Sequence, residues 1–246
     1  MVSAQFTRSG NADLAVADYP ASAISVLLGN GNGTFAKPRK FSVPNPVAIA
    51  AGDLDGDGNA DLVAVESGGT GESHLGVFLS NGDGTFHKFA TYPSGIGNGG
   101  VTLADFDGDG NLDVAAVLYN GKQGSIVVFF GDGKGHFGGR TIYKVPGTPY
   151  GIAAGDLNGD HPDLVVTNIS GYVSVLLNDG TGKFGKPVTY NAGGGEVVDV
   201  KIGDLRHDGR NDLAVVNASL SQIAIFLNKG DGTFAAPKFY TTDLPG

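Results

Sequence analysis

The 246-residue chain has no cysteine, no tryptophan and a single methionine. Without cysteine there are no disulfides, no thiolate nucleophile and no Cys-ligated zinc; the compartment stays open, because a chain of this length buries a core without covalent staples. Glutamate is nearly missing too. Glu66, Glu72 and Glu196 are the three, so 22 of the 25 acidic residues are aspartate. With so little Glu and with 42 glycines, helix propensity is poor, which argues against a helical bundle. Long apolar runs are absent: the longest are about five residues, such as Ile126 to Phe130, against the roughly 20 that a membrane helix needs, so no membrane span is expected. Basic charge is scarce as well. Sixteen Lys and Arg against 25 acids leave a net charge of −9, which argues against a nucleic-acid partner, since such binding neutralises phosphates with Lys and Arg. The start, Met1-Val2-Ser3-Ala4-Gln5-Phe6, has no basic region leading into an apolar stretch, so no secretory leader is expected there. Disorder is disfavoured, because 41% of residues are apolar and arrive in short strand-like packets.

What is present is a repeat. A Gly-x-Phe turn recurs at Gly33-Thr34-Phe35, Gly84-Thr85-Phe86, Gly135-His136-Phe137, Gly182-Lys183-Phe184 and Gly232-Thr233-Phe234. An aspartate opening an apolar run recurs at Asp13-Leu14, Asp61-Leu62, Asp113-Val114, Asp163-Leu164 and Asp212-Leu213. The spacings are 51, 51, 47 and 50 for the first marker and 48, 52, 50 and 49 for the second, so two independent markers share one period of about 50. The repeats run approximately over 1–45, 46–95, 96–147, 148–194 and 195–246, and are expected to form one domain over 1–246.

Each unit reads as four short strands. In the second copy these are Pro46 to Ala51, Leu62 to Glu66, Leu75 to Leu79 and Thr85 to Thr91, the last more polar, as an outer edge strand should be. The Gly, Asn and Asp turns supply the positive-φ positions of tight hairpins and account for most of the glycine. Four antiparallel strands in about 50 residues make a propeller blade, so the expected fold is all-β, a β-propeller of five four-stranded antiparallel blades. Met1 to Phe6 is then the first strand of the first blade, and Phe234 to Asp243 the outer strand of the fifth. No strand remains to clasp the last blade to the first. A five-bladed monomer is the first expectation; a five-repeat piece cut from a larger propeller, or one that associates to complete a ring, is the alternative.

The chemistry gathers in the loops between first and second strands. Asp53, Asp55, Asp57, Asn59 and Asp61 in copy two, and Asp105, Asp107, Asp109, Asn111 and Asp113 in copy three, fit D-x-D-G-D-G-N-x-D. The glycines let the loop curl, so that acids at positions 1, 3 and 5 converge, and position 9 returns a carboxylate where the next strand begins. The donors are all oxygens, which suits a hard cation of flexible coordination, calcium before magnesium. Four carboxylates about 5 Å apart repel by ~5 kcal/mol in water, and salt removes roughly half; a divalent cation reverses the sign. An EF-hand needs a glutamate at position twelve and flanking helices, whereas Ala64 or Ala116 stands there between strand-like segments. Copy four, Asp156-Leu157-Asn158-Gly159-Asp160-His161-Pro162-Asp163, is one residue short and is a third candidate through Asp156, Asn158, Asp160 and Asp163. Copy five has Arg206 at the third position, where a guanidinium can replace the cation by ion pairing. Copy one keeps only Asp13 and is expected to be empty.

These loops, with the Gly-x-Phe turn downstream, resemble the FG-GAP/VCBS repeats of integrin-α-like propellers, copies two and three most closely. The resemblance implies calcium held by the side chains of Asp53, Asp55, Asp57 and Asp61 with the backbone carbonyl of Asn59, and by Asp105, Asp107, Asp109 and Asp113 with that of Asn111. It implies an extracellular setting. Propellers of that family usually carry six to eight blades, and five is a departure that bears on ring closure.

No catalytic constellation stands out: His74, His87, His136, His161 and His207 fall at unlike places in their repeats, and neither a nucleophile elbow nor a zincin motif occurs. The expectation is a non-enzymatic, calcium-stabilised scaffold binding a protein or other ligand. A lectin is the alternative. It is weakened by the lack of tryptophan, although Tyr19, Tyr92, Tyr119, Tyr143, Tyr150, Tyr172, Tyr190 and Tyr240 can offer sugar-stacking faces. A polysaccharide lyase, with calcium serving substrate acids, is a third reading with no positive feature behind it.

Overall fold

The computed structural model describes residues 1–68, 71–95 and 99–242. Among them every regular element is a β-strand, and the strands form five four-stranded sheets, each from consecutive strands. The first blade is β1 (Val2–Ala4), β2 (Asp13–Asp18), β3 (Ala23–Leu27) and β4 (Arg39–Ser42). The second is β5 (Pro46–Gly52), β6 (Asp61–Glu66), β7 (Ser73–Ser80) and β8 (Phe86–Gly95). The third is β9 (Val101–Ala104), β10 (Asp113–Tyr119), β11 (Gly124–Gly131) and β12 (Phe137–Val145). The fourth is β13 (Pro149–Asp156), β14 (Pro162–Asn168), β15 (Tyr172–Leu176) and β16 (Val188–Asn191); the fifth is β17 (Val197–Gly203), β18 (Asp212–Asn217), β19 (Gln222–Phe226) and β20 (Lys238–Thr241). The all-β class and the five four-stranded antiparallel blades expected from the repeat are therefore observed. Among the described residues the first and last sheets share no strand.

Registers place the acidic loops. Gly52 pairs with Asp61, Gly155 with Asp163 and Gly203 with Asp212, so each loop joins the first strand of its blade to the second, and its last aspartate stands at or, in blade four, one residue past the start of that second strand. The ends of some strands differ from the sequence expectation. The first strand is only Val2–Ala4, and the outer strand of the last blade is Lys238–Thr241; Asp243 lies outside the described residues. In the outer strands the cause is proline. Pro38, Pro187 and Pro237 each stand three residues after the turn Phe, and a residue with no N–H cannot continue the ladder. Phe35, Phe184 and Phe234 accordingly make single bridges to Gly29, Asn178 and Asn228, and β4, β16 and β20 begin just after the proline. Blades two and three have Phe89 and Arg140 there, and their outer strands start at the turn Phe itself.

The chain divides into two compact units: Met1–Leu103 with Gly110–Leu118 and Val127–Thr141, and Ala104–Asp109 with Tyr119–Ile126 and Ile142–Gly246. In the first unit, one apolar layer holds Phe6, Ala15, Ile24 and Val26 of blade one against Leu62, Ala64 and Phe78 of blade two. A second layer holds Val63, Val65, Leu75 and Val77 of blade two against Val114, Ala116, Val127 and Phe137 of blade three. The second unit has a layer of Leu157, Val165, Val173 and Val175 with Leu213, Val215, Phe226 and Phe234. Each fully buried Val, Leu or Phe in these layers contributes about 1.5–3 kcal/mol.

Strand burial differs from blade to blade. β6 is buried along its whole length, with blade one on one face and blade three on the other, and β14 is buried from Asp163 onward. β2 and β18 alternate instead, buried at Asp13 and Ala15 but half-open at Leu14 and Val16, buried at Leu213 and Val215 but open at Val216.

Candidate metal centres

The ninth-position aspartate is the fixed point of every loop. Asp13, Asp61, Asp113, Asp163 and Asp212 are each fully buried. Asp61 accepts N–H bonds from Leu54 at 2.8 Å and Ser80 at 2.8 Å, Asp163 from Leu157 at 2.9 Å and Asn178 at 2.8 Å, and Asp13 from Phe6 at 2.9 Å and Gly29 at 2.8 Å. Asp113 accepts from Gly131 and Asp212 from Asn228, both at 2.8 Å. One carboxylate thus clips the loop to the end of the third strand. Sequence reasoning gave this aspartate a metal-binding role alone. Its presence in loop one, which has no other acid, was the signal that it also works without a cation.

Above that clip the loops curl through left-handed glycines, Gly56 and Gly58 at φ 77° and 84°, Gly108 and Gly110 at 77° and 89°. In loop two, carboxylate oxygens of Asp53, Asp55 and Asp61 come within 4.8 Å of one another. Asp57 is turned to Asn59, accepting its backbone N–H at 2.8 Å and its side-chain amide at 2.7 Å, and Asn59 itself is buried. In loop three the set within 4.8 Å is Asp105, Asp107 and Asp109. Asn111 lies half-buried further along that loop.

Loop four is arranged differently. Asp156 accepts backbone N–H bonds from Asn158 at 3.1 Å, Gly159 at 2.6 Å and Asp160 at 3.2 Å, and Asp160 accepts the Asn158 amide at 3.0 Å. The Asn158 side-chain oxygen, at the third motif position, is buried with no hydrogen-bond partner. A buried acceptor left unmade costs about 1–3 kcal/mol, so this oxygen fits a cation that the chain itself does not supply.

Burial raises Asp61 and Asp163 from 3.8 to about 6; the two N–H bonds on each pull the other way, and the neighbouring loop acids push up again. Negative charge is costly at these points unless a cation sits beside it.

Loop five has its own cation. The Arg206 guanidinium bonds both oxygens of Asp212, at 3.2 and 3.0 Å, pairs with Asp208 at 3.0 Å and reaches the Asn228 carbonyl at 2.8 Å. The bond to Asp212 raises the arginine above its ordinary value. The ion pair expected from Arg206 at the third position is present in the geometry. Loop one is filled by neutral groups: Gln5 reaches the Gly10 carbonyl at 3.3 Å, and the Thr7 hydroxyl bonds Asp13 at 3.4 Å.

Two asparagines escaped sequence reasoning. Asn178 donates to the Phe106 carbonyl at 2.8 Å, and Asn228 to the Leu157 carbonyl at 2.7 Å, each tying a third-strand end to a loop about 70 residues earlier. No local pattern announces a bond of that sequence separation. None of the five histidines is buried; His136 stacks edge-on against Phe89 at 4.6 Å, a surface packing role.

Four-stranded blades whose first connection is an oxygen-rich acidic loop define a β-propeller-type repeat protein. The chain belongs to the FG-GAP-like repeat family, whose repeats match residues 6–64, 53–116, 105–161 and 161–215. It is 29% identical over 165 residues to mouse cartilage acidic protein 1, a match covering 61% of this chain and 25% of that protein. The chain therefore spans about a quarter of the length of that curated relative. Among solved structures it is similar to the BP39L lectin of Burkholderia pseudomallei, with a TM-score of 0.70 and 17% identity over 97% of this chain and 69% of the lectin. It is also similar to an Agrocybe aegerita lectin that recognises non-reducing terminal N-acetylglucosamine, with a TM-score of 0.52 and 20% identity over 98% and 80%. At these identities the likeness is one of fold. No helix among the described residues is long and apolar enough to cross a membrane.

Proposed function

We propose that the chain is a non-enzymatic, calcium-stabilised binding module that works outside the cell. The observation that carries the reading is the convergence of three carboxylates within 4.8 Å in each of two loops. Like charges gathered at that spacing repel, and a divalent cation with oxygen ligands converts the repulsion into attraction. Asp53, Asp55 and Asp61 would hold one ion and Asp105, Asp107 and Asp109 a second. The unpartnered Asn158 oxygen, with Asp156, Asp160 and Asp163 in the same loop, supports a third and weaker site. An ion in each loop would fix a strand connection, which is a structural service. The likeness to cartilage acidic protein 1 and the concentration of calcium outside cells support the extracellular setting. Titration calorimetry on metal-stripped protein should count two tight calcium ions and one weaker; a count of zero would remove the reading.

A glycan is the second reading for the ligand. Its support is an open cleft of about 420 Å³ lined by Ser170, Tyr172, Thr189, Tyr190 and Asn191, which offers two tyrosine rings among hydroxyls and amides, together with the lectin neighbours. A glycan array separates this from a protein ligand, and absence of any hit above background would leave the protein-binding reading.

A further inference from the structure

The outer half of blade four holds side chains that the other blades lack. β15 and β16 pair Tyr172 with Asn191 and Ser174 with Thr189, so these four side chains share one face of the sheet. Ala23, His74 and Gln222 hold the place of Tyr172 in blades one, two and five, across from Asp18, Glu66 and Asn217 as Tyr172 is from Asn168. At this end of blade four, Ser170, Tyr172, Thr189, Tyr190 and Asn191 line the open cleft of about 420 Å³. That volume falls within the roughly 300–1,000 Å³ of small-molecule sites. Two glycines complete the wall. A Cβ on Gly171 would collide with the Gly194 backbone, so the two segments meet only because Gly171 is bare, and a Cβ on Gly194 would meet nothing within 4 Å.

The rings of the cleft are fixed, and its polar groups are unspent. The Tyr172 hydroxyl lies over Gly147, where a Cβ would collide with it. Tyr190 is held edge-on by Phe234 at 5.4 Å and Phe226 at 6.3 Å. Tyr92 stands against Leu75 as Tyr190 stands against Val173, and its hydroxyl accepts the Phe137 N–H at 3.0 Å. The Tyr143 hydroxyl likewise accepts from Phe184 at 3.3 Å and donates to the Gly182 carbonyl at 3.1 Å. Among the described residues the Tyr190 hydroxyl has no such partner, nor do those of Ser170, Tyr172 and Thr189. Asn191 accepts the Gly193 N–H at 2.8 Å through its oxygen, which leaves its amide nitrogen to donate elsewhere. Two residues along β15 on the same face, Ser174 is 1% exposed, and its hydroxyl is buried without a hydrogen-bond partner. None of the lining residues carries a charge.

Resting on the glycan reading above, we propose that this cleft takes the uncharged end of a saccharide, one sugar ring lying on Tyr172 with its hydroxyls bonded by Ser170, Thr189 and the Asn191 amide. A sugar ring offers an apolar C–H face beside a rim of hydroxyls, the complement of a phenol ring next to hydroxyl and amide groups. An acidic sugar would give up water with no cation in the cleft to pair it, and would enter the field of a chain with net charge −9. A basic sugar would find no carboxylate among the lining residues. Because the phenol that receives the ring is in blade four and not in blades one, two or five, one site per chain follows.

Neutral glycans arrayed beside uronic-acid and sialic-acid glycans of equal size, probed with the full chain in calcium, test the proposal. Titration calorimetry with the neutral mono- or disaccharide that binds best then gives affinity and stoichiometry. Wild type should prefer neutral glycans and bind one per chain. Tyr172→Ala should weaken binding about tenfold through the lost ring face. Asn191→Asp keeps the acceptor for the Gly193 N–H, removes the donor and adds a charge, and should weaken binding at least as much. Asn191 is exposed and Tyr172 half-buried, so Asn191→Asp should keep the wild-type melting temperature even where Tyr172→Ala lowers it. A wild-type preference for acidic glycans, or neutral binding that survives both substitutions, overturns this assignment and leaves the glycan reading with another site. Binding of no glycan of either kind overturns both.

Discussion

Stripping the metal should leave a protein whose stability falls as pH rises through the mildly acidic range. Asp61 and Asp163 are each raised from 3.8 to about 6 by burial. A carboxyl that holds its proton more tightly folded than unfolded stabilises the fold in its protonated form. That contribution is complete below about pH 3.8 and is lost as pH climbs through about 6. A two-unit shift corresponds to about 3 kcal/mol, and screening by water at the exposed mouth of the loop reduces this to roughly half. The two carboxyls lie in separate loops and add, for about 3 kcal/mol in all. About two-thirds of this, about 2 kcal/mol, is still present at pH 4.5; in a domain of this size each kcal/mol moves the melting temperature by about 2–4 °C, so metal-stripped protein should melt about 4–8 °C lower near pH 7.5 than near pH 4.5. Asp83, Asp179 and Asp231, held low by threonine hydroxyls, and Asp204, held low by the Gly209 N–H, act with the opposite sign. Their contribution is lost only below about pH 4, outside that window. Millimolar calcium keeps Asp61 and Asp163 ionised beside a cation and should flatten or invert the curve. Differential scanning calorimetry at matched ionic strength measures both conditions, and the Asp61→Asn, Asp163→Asn double variant should lose the slope. A stripped protein that melts at the same or a higher temperature near pH 7.5 would show that these carboxyls are not perturbed as the burial implies.

Asp55→Ala and Asp107→Ala should each lower the calorimetric calcium count by one and leave the other loop filled; an unchanged count would show that the ligand sets are wrongly drawn. Asp13→Ala should cost about 2–4 kcal/mol in denaturant unfolding, with or without calcium, because the Phe6 and Gly29 N–H groups lose their acceptor. A loss confined to calcium-containing buffer would contradict the clip assigned to loop one. Arg206→Asp should convert loop five into a metal site, with Asp204, Asp208 and Asp212 already at positions 1, 5 and 9, and raise the calcium count by one. If the count stays put, a guanidinium is not standing in for a cation there.

Much of this protein is legible in its sequence because the determinants are local. A period of about 50, a Gly-x-Phe turn and an aspartate before each apolar run fix the blades, since hairpin turns and strand alternation are properties of neighbouring residues. The two full acidic loops and the arginine at the third position of the fifth are legible for the same reason: the carboxylates and the guanidinium that meet lie within nine residues. Even the late start of β4, β16 and β20 is written in Pro38, Pro187 and Pro237. The tertiary structure decided what depends on partners far along the chain. It turned Asp57 toward Asn59 and left Asp53, Asp55 and Asp61 to converge. It made the ninth aspartate a clip to a strand end some 15 to 19 residues on, and drew Asn178 and Asn228 to loops about 70 residues back. Above all it decided that Phe137, Phe184 and Phe234 are buried, Phe86 half-buried and Phe35 exposed. The repeats have nearly the same residues at these places, so composition cannot separate them. Burial belongs to what packs against a residue, and only the folded chain supplies that.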